Sequence, residues 1–305
     1  MKLFHYQDPI GNVGDDLNPW LWGRLIPELL DDDATTLFLG IGTLLNDRLP
    51  AARRTVVFGT GAGYGRRPPV LDARWAVYCV RGPLTAAALR LPKHLAITDP
   101  AALVATLGVR PHTDGRTPAF MPHHVSASRA DWTAICADVG LRFVDSRWSV
   151  DRVLGELCST SVLVTEAMHG AILADALRIP WIPVVCYEHI LAFKWVDWCR
   201  SLDLSYRPFM IPTLWNVESN LGVAALCGVA IRRAMDRAGV PGSRGAAVPP
   251  MEPALQEAVR ETLGRIVHSA DWLLSADTAF DRACSRLQEA LERLIRDARI
   301  SEGAE

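Results

Sequence analysis

Short apolar runs alternate with polar loops along the first two thirds of the chain. Runs of strand length lie at 2–6, 36–45, 54–65, 75–80, 119–126, 141–146, 161–165 and 181–185. Stretches with a helical period separate most of them, at 18–30, 81–91, 129–140, 148–160 and 171–179. Strands that alternate with single helices predict parallel sheets with right-handed crossovers, since a parallel connection needs a crossover element. The pattern therefore predicts an α/β fold.

The alternation is interrupted once, at a polar stretch rich in turn residues, RPHTDGRTP (110–118). We therefore expect two Rossmann-like domains that face a cleft, over 1–111 and 117–206. Beyond residue 205 the pattern is only helical, and we expect an extension over 207–305 that packs in part on both domains. The sequence predicts helices at 217–238, 254–274 and 277–299 in this extension, with a loop at 239–253.

Two local signals predict where helices begin. Asn18 followed by Pro19 is typical of an N-cap and the first helical position, where a missing N–H costs nothing. Asp99 followed by Pro100 has the same form, and we interpret Asp99 as a capping residue.

Composition and charge limit the cellular setting. The 305 residues are 50% hydrophobic and carry a net charge of −2, which gives no general attraction to nucleic acid or to an anionic membrane. The seven cysteines have no CxxC spacing and are interpreted as buried free thiols, which are typical of a reducing compartment. We find no secretory signal and no apolar run long enough for a membrane span. We expect a cytoplasmic protein, and peripheral association with the inner membrane stays open.

Candidate chemistry follows from a rule for parallel α/β sheets, in which ligands bind where strand ends lead into helices. The first such place is GNVGDD (11–16), in which Gly14 permits close approach of a ligand. Asn12 and the carboxylates of Asp15 and Asp16 lie beside it. The alternative is that either Asp merely favours the start of a helix.

Two glycine loops, GIGT (40–43) and GTGAGYG (59–65), each follow a strand. Gly42, Thr60 and Gly61 lie in them. Because glycine has no side chain, the backbone N–H groups of such loops stay accessible and can form an anion-binding site. We therefore favour contact with a phosphate or a sugar over the alternative that these loops are only tight turns. An acidic residue about 20 positions later, as a dinucleotide site requires, is missing.

Arg81 and His169 are the two strongest single candidates. Arg81 follows an apolar strand, and its planar guanidinium suits a carboxylate or a phosphate. His169 and Gly170 lie between the strand SVLVT and a helix. A histidine in an apolar run is usually a core residue, but a helix N-terminus attracts anions, and a histidine there can transfer protons near neutral pH.

His123 and His124 follow the strand AFMPHHVS. Neighbours in a strand point to opposite faces, so we expect only one of them to face the cleft. Their spacing matches no common zinc pattern, and we expect no metal.

Together these stretches resemble the polysaccharide pyruvyl transferase family, and most closely its succinoglycan-type members. The resemblance rests on GNVGDDLNPWLW, VFGTGAGYG, VRGPLTAAAL, TDPAALV, MPHHVS and TEAMHGAILADALRIPWIPVV, which run in order through residues 3 to about 200. It ends near residue 206. The family implies a two-domain fold similar to GT-B glycosyltransferases, phosphoenolpyruvate as donor substrate without another cofactor, and a pyruvate ketal on two sugar hydroxyls as product. The acceptor would be an exopolysaccharide or its lipid-linked precursor.

The resemblance gives each candidate an expected role. The catalytic candidates are His169, Asp15 and Asp16. The donor-binding candidates are Arg81, Gly170, Gly61, Thr60 and Lys194. The acceptor-binding candidates are Asn12, Gly14, Gly42 and His124. Where the family often has a basic or hydroxyl residue just before the histidine, this chain has Ala167 and Met168, so Lys194 or Arg207 would supply the missing charge.

Three other functions remain open from the sequence. The chain could be a GT-B glycosyltransferase that uses a nucleotide sugar, because fold alone does not decide function. It could be a non-catalytic saccharide-binding module, although Arg81, His169 and the glycine loops argue against that. A Rossmann dehydrogenase fits least well, because the acidic partner of a ribose is missing.

Overall fold

The computed structural model describes residues 1–65, 67–187, 190–213 and 253–302. The N-terminal sheet contains four strands in sequence order: β1 (Lys2–Phe4), β2 (Thr36–Leu39), β3 (Arg54–Phe58) and β4 (Trp75–Cys79). All of their pairings are parallel. The inner strands β2 and β3 are buried at almost every position, which explains their continuous rather than alternating apolar runs.

The second sheet has the order β6–β5–β7–β8–β9 and is also parallel throughout. Its strands are β5 (Thr117–Met121), β6 (Arg142–Phe143), β7 (Thr160–Thr165), β8 (Trp181–Val185) and β9 (Phe209–Met210). The sequence predicts only helices beyond residue 205, so β9 is a correction. It arises because two residues pair with the end of β8, a contact too short to leave a periodic signal.

Helices and 3-10 turns connect the strands. The α-helices are α1 (Val13–Leu25), α2 (Pro83–Ala88), α3 (His124–Ala127), α4 (Trp132–Asp138), α5 (Val150–Cys158), α6 (Met168–Ala176), α7 (Ala192–Ser201), α8 (Pro253–Val267) and α9 (Asp277–Glu302). The 3-10 helices are Pro27–Leu29, Lys93–Leu95 and Pro100–Leu107. The α/β class with parallel sheets and a helical C-terminal end is thereby confirmed, while the domain boundaries stay predictions.

The elements between the two sheets share one hydrophobic core. Helix α6 packs against the 3-10 helix Pro100–Leu107 and against α1. One buried cluster contains Leu17 and Phe58 from the first half of the chain and Leu163 and Trp198 from the second. Because this core is continuous, the carboxyl ends of strands from both sheets are held close to each other.

The C-terminal helices pack on different parts of the molecule. Helix α9 contacts β4 and the 3-10 helix Pro100–Leu107, whereas α8 contacts α4 and β7. Helix α8 ends at Val267, earlier than the predicted 274, because Leu273 forms an isolated antiparallel bridge to Trp181. The predicted helix 217–238 and nearly all of the loop 239–253 lie outside the described residues. In the part of the chain that the structure describes, no helix is long and apolar enough to cross a bilayer.

The start of α1 differs from the sequence prediction. Asn12, rather than Asn18, is the N-cap, and its side chain accepts from the backbone N–H of Gly14 at 3.2 Å. Pro19 therefore lies inside the helix, where it cannot donate to the carbonyl of Asp15. The side chain of Asn18 donates to that carbonyl instead, at 3.3 Å. Because the Asn18 side chain replaces the missing donor, the helix begins six residues earlier than Pro19 at the first helical position would predict.

The cysteines agree with the prediction within the described residues. Cys79, Cys136, Cys158, Cys186, Cys199 and Cys284 are free and buried. Cys227 lies outside the described residues.

Candidate functional site

A cavity of about 700 Å³ lies at the carboxyl ends of strands from both sheets. Its wall is formed by the segments after β1, β2 and β3, by the starts of α1 and α3, by the start of α6 and by one residue of α7. The volume falls within the range of small-molecule sites. The position agrees with the rule for parallel α/β sheets from which the candidates were chosen.

The first part of the wall comes from the start of α1. Asn12 lines the cavity, and its side-chain amide donates to Oδ2 of Asp15 at 2.7 Å. Asp15 also lines the cavity, whereas Asp16, its neighbour in the helix, does not. Successive helical residues point about a quarter turn apart, so only one of two adjacent carboxylates reaches the cavity.

The carboxyl group of Asp15 is electrostatically perturbed. Burial raises its pKa to about 6, and the negative charges of Asp8 and Asp16 add to that effect. The hydrogen bond from Asn12 and the charge of His169 act in the opposite direction. A carboxyl group with a pKa near 6 can both donate and accept a proton at neutral pH, which suits a general acid or base.

His169 lies in the first turn of α6 and lines the cavity. The Cα of Gly14 packs directly against its ring, because a Cβ added at Gly14 would lie 2.0 Å from Nδ1 of His169. The other ring nitrogen, Nε2, is buried and faces Oδ2 of Asp99 at 3.8 Å. Asp99 also caps the 3-10 helix as the sequence predicts, since Oδ1 accepts from the N–H of Ala101.

His123 and His124 both line the cavity, which corrects the expectation that only one would. The strand β5 ends at Met121, and α3 begins at His124, so alternation no longer applies to the pair. Nε2 of His124 lies 3.2 Å from Oδ2 of Asp8. Burial lowers the pKa of His124; Lys194 and Arg147 also lower it, and Asp8 opposes them.

A buried carboxylate holds this histidine loop in place. Glu166 is fully buried and accepts from the backbone N–H groups of His123 at 3.1 Å, Cys186 at 2.8 Å and Tyr187 at 3.2 Å. Burial raises its pKa, while these hydrogen bonds lower it. Glu166 therefore joins the ends of β5, β7 and β8 beneath the cavity.

Lys194 reaches the cavity from α7. Its Nζ lies 3.3 Å from the hydroxyl of Tyr64, whose ring also lines the wall. No carboxylate of the described residues lies within ion-pair distance of Lys194. This ammonium group is therefore available to an anionic ligand.

Arg81 has a different position from the one expected at the cleft edge. Its side chain is fully buried and does not line the cavity. The guanidinium donates to Oδ2 of Asp197 at 3.3 Å, to the hydroxyl of Thr43 at 2.8 Å and to the carbonyls of Gly42 and Ala62. Arg81 thus connects the loops after β2 and β3 to α7, and its guanidinium is already occupied by protein groups.

Three more donor-binding candidates are also placed in packing positions behind the wall. A Cβ at Gly61 would lie 2.2 Å from Cζ of Arg81, and one at Gly170 would lie 2.7 Å from Sδ of Met121. The hydroxyl of Thr60 donates to the carbonyl of Gly42 and accepts from the N–H of Leu44. These residues shape the loops that the cavity residues occupy, but they do not line it.

The structure therefore brings half of the candidate residues together. Those that line the cavity are His169, Asp15, Asn12, Gly42, His124 and Lys194. Those that do not are Asp16, Arg81, Gly170, Gly61, Thr60 and Gly14, and Gly14 supports the ring of His169 from behind. Arg207 is exposed and lies outside the wall. The chemical roles of all of them stay predictions.

Sequence reasoning missed several residues of the wall. Tyr6, Gln7 and Asp8 directly follow β1, and the rule that selected GNVGDD would also have selected them. Tyr64 lies in the selected glycine loop GTGAGYG, but only Thr60 and Gly61 were chosen from it; Arg48 left no signal of this kind, because it lies well beyond the end of its strand. Within the described ranges, no group of three or more His, Cys, Asp or Glu side chains is arranged to hold a metal ion.

Comparison with known proteins identifies a full-length relative. The succinoglycan biosynthesis protein ExoV of Rhizobium meliloti (strain 1021) is 36% identical over 317 aligned positions, which cover 97% of this chain and 99% of the relative. No family model matches the chain, and no solved structure matches it significantly. Identity at this level over nearly the whole length of both proteins agrees with the resemblance of the motifs. The chain belongs to the succinoglycan-type polysaccharide pyruvyl transferase family.

Proposed function

We propose that this protein transfers the pyruvyl group of phosphoenolpyruvate to two hydroxyls of a sugar in an exopolysaccharide or its lipid-linked precursor. The product is a cyclic pyruvate ketal, and phosphate is released. The observation that carries the proposal is the cavity wall, in which His169 and the perturbed carboxyl group of Asp15 accompany the ammonium of Lys194, which forms no ion pair within the described part of the chain. The related protein's name, which refers to succinoglycan biosynthesis, supports a sugar polymer as the acceptor.

The donor is a small anion with a phosphate and a carboxylate. Lys194 has no carboxylate partner among the described residues, and the N-terminus of α6 forms part of the same cavity wall. Both features attract anions. His124 and His123 add imidazoles to the same wall, and an imidazole N–H can donate a hydrogen bond to an anion. In this proposal Lys194 replaces the buried Arg81 as the cation that contacts the donor.

The acceptor would occupy the side of the cavity formed by the first half of the chain. Asn12 and the loop at Gly42 and Thr43 line that side, and the side chains of Asn12 and Thr43 are polar groups that suit sugar hydroxyls. Tyr6 and Tyr64 line the wall and stay 59% and 43% exposed. Exposed rings at the mouth of a cavity suit the apolar face of a sugar, since aromatic groups combine an apolar surface with a polar edge.

The reaction itself determines how many proton transfers the site must support. A proton added to the vinyl carbon of phosphoenolpyruvate makes the neighbouring carbon cationic, and the first hydroxyl adds there and loses its proton. The C–O bond to phosphate then breaks, and the second hydroxyl adds and loses its proton. One of the two hydroxyl protons ends in the new methyl group, and the other leaves on phosphate.

Two groups that begin in opposite protonation states can perform these four transfers. We assign the imidazolium of His169 as the donor to the vinyl carbon and the carboxylate of Asp15 as the acceptor from the first hydroxyl. In the second half, Asp15 protonates the leaving phosphate, and neutral His169 accepts the proton of the second hydroxyl. Both groups then return to their starting states, and burial of the site protects the cationic carbon from water.

The test is incubation of the purified protein with phosphoenolpyruvate and oligosaccharide precursors of the host's exopolysaccharide. We expect release of phosphate together with a pyruvyl ketal on the sugar, detected by mass spectrometry and by the methyl signal in NMR. Replacement of His169 by Gln should lower turnover by at least about 10²-fold. Near wild-type ketal formation by that variant would exclude the assignment of His169.

A thermal-shift comparison separates the proposal from the glycosyltransferase alternative. Phosphoenolpyruvate should raise the unfolding temperature, whereas UDP- and GDP-sugars should not, because a ligand stabilises the state that binds it. Stabilisation by a nucleotide sugar alone would favour the glycosyltransferase. Stabilisation by the oligosaccharide alone, without turnover, would favour a saccharide-binding module.

A further inference from the structure

Asp99 has one carboxylate oxygen that its capping role does not use. The residue is fully buried, and Oδ1 accepts from the backbone N–H of Ala101 at 3.0 Å. One oxygen is enough for an N-cap. The other oxygen, Oδ2, is buried and has no hydrogen-bond partner among the described residues. A buried carboxylate oxygen in that condition is costly unless a positive or donating group faces it.

The group that faces Asp99 is the imidazole of His169. Nε2 of His169 is also buried without a hydrogen-bond partner in the described part of the chain, and it lies 3.8 Å from Oδ2 of Asp99. A hydrogen-bond acceptor at the N-cap of the 3-10 helix Pro100–Leu107 and a possible donor on α6 thus face each other, and neither has another partner among the described residues. Hydrogen bonds between catalytic groups are often long before a ligand binds and shorten in the complex.

We infer that Asp99 is the positioning residue of His169, an inference that rests on the proposed function. Its carboxylate accepts the proton on Nε2 and holds the ring in its orientation at the cavity wall. Gly14 confines the ring on the Nδ1 side, because its Cα leaves no space for a side chain there. The charge of Asp99 also stabilises the imidazolium, which the proposed reaction requires at its first step.

The chain offers a matched control for the capping role. Asp131 is the N-cap of α4 and accepts from the N–H of Ala134 at 3.3 Å, but it is exposed and does not line the cavity. Replacing either aspartate by Asn keeps an oxygen that can cap the helix and removes the charge. If Asp99 only caps, Asp99→Asn and Asp131→Asn should behave alike.

The experiment compares Asp99→Asn and Asp131→Asn with the wild-type protein in phosphate release from phosphoenolpyruvate. We expect Asp99→Asn to lower kcat by about 10²-fold or more with little change in the KM for phosphoenolpyruvate, because an introduced amide N–H cannot accept the Nε2 proton. Asp131→Asn should retain wild-type kcat. Equal kcat values for the two variants would overturn the inference.

A second measurement does not depend on turnover. In the ¹⁵N NMR spectrum of the wild-type protein, assigned with His169→Gln, neutral His169 should carry its proton on Nε2. In Asp99→Asn this preference for Nε2 should weaken, because the carboxylate that accepts the proton is gone. A proton on Nδ1 in the wild-type protein, or an unchanged tautomer preference in Asp99→Asn, would overturn the inference.

The two measurements also separate this inference from the proposed function. If the wild-type protein releases no phosphate while the NMR results are as expected, the proposed function fails and the pairing stands. If the wild-type protein forms the ketal while neutral His169 carries its proton on Nδ1, the proposed function stands and the pairing fails. If Asp99→Asn does not fold, the position of the wild-type proton alone decides.

Discussion

Replacing Gly14 by Ala should damage the site while favouring the helix that contains it. Gly14 lies in the first turn of α1, where alanine is the better helix former by up to about 1 kcal/mol. Yet a Cβ at this position would lie 2.0 Å from Nδ1 and 2.8 Å from Cε1 of His169. Helix propensity therefore predicts a stabilised helix, whereas the geometry of the site predicts a displaced His169 and a loss of activity.

The size of the effect follows from the contact distance. An ordinary contact between a Cβ and a ring atom begins near 3.4 Å, so the imidazole must move by more than about 1 Å or rotate away. A displacement of about 1 Å in a reacting group can cost about 10²-fold in rate. We expect kcat for ketal formation to fall by that factor, while the protein remains folded.

The control is Gly23→Ala in the same helix. A Cβ there would have no atom within 4 Å, so this variant receives the propensity gain without the clash. The assay is phosphate release under saturating phosphoenolpyruvate, with urea unfolding of both variants measured in parallel. Wild-type kcat in Gly14→Ala would refute the placement of His169 against α1, and equal losses of kcat in both variants would show that the helix rather than the ring is responsible.

Three further variants test the burial of Asp15 and two packing contacts behind the cavity wall. Because burial holds the pKa of Asp15 at about 6 against an ordinary 3.8, the folded state binds its proton more tightly than the unfolded state. The free energy of unfolding should thus fall by up to about 3 kcal/mol as pH rises from about 4 to about 6. Asp15→Asn should remove that fall in urea titrations at several pH values; persistence of the fall would contradict the assignment. Gly170→Ala places a Cβ 2.7 Å from Met121 Sδ and should lower the free energy of unfolding by about 1–3 kcal/mol. The control Gly155→Ala has open space around its Cβ and should not be destabilised. Asp197→Ala leaves the buried guanidinium of Arg81 unpaired and should cost about 3–5 kcal/mol of stability in the same assay; a loss below 1 kcal/mol would argue against the buried pair.

The sequence prediction is correct where ordinary propensity and capping rules apply. The cap at Asp99 and the continuous apolar strands were predictable, because they depend on residues only a few positions apart. The start of α1 was not, because the hydrogen bond from Asn18 to the carbonyl of Asp15 compensates for Pro19 in a way that no propensity rule includes.

Arg81 shows a different kind of error. Its position after β4 was predicted, and so was the burial of its neighbours. Its partners Gly42, Ala62 and Asp197 lie 39, 19 and 116 positions away in the chain, so nothing near Arg81 indicates that its guanidinium is satisfied by protein. The same long-range packing decides that Asp15 rather than Asp16 reaches the cavity.

By itself the sequence determined the α/β class, the parallel strands, the free buried cysteines and the family to which the chain belongs. These properties are encoded in periodicity, composition and short motifs, each of which is read within a few residues. Only the tertiary structure decided which polar side chains share one cavity, that His123 and His124 both face it, and that Asp99 faces His169. Such facts depend on how two sheets pack through α1 and α6, and that packing combines contacts between residues that are distant in the chain.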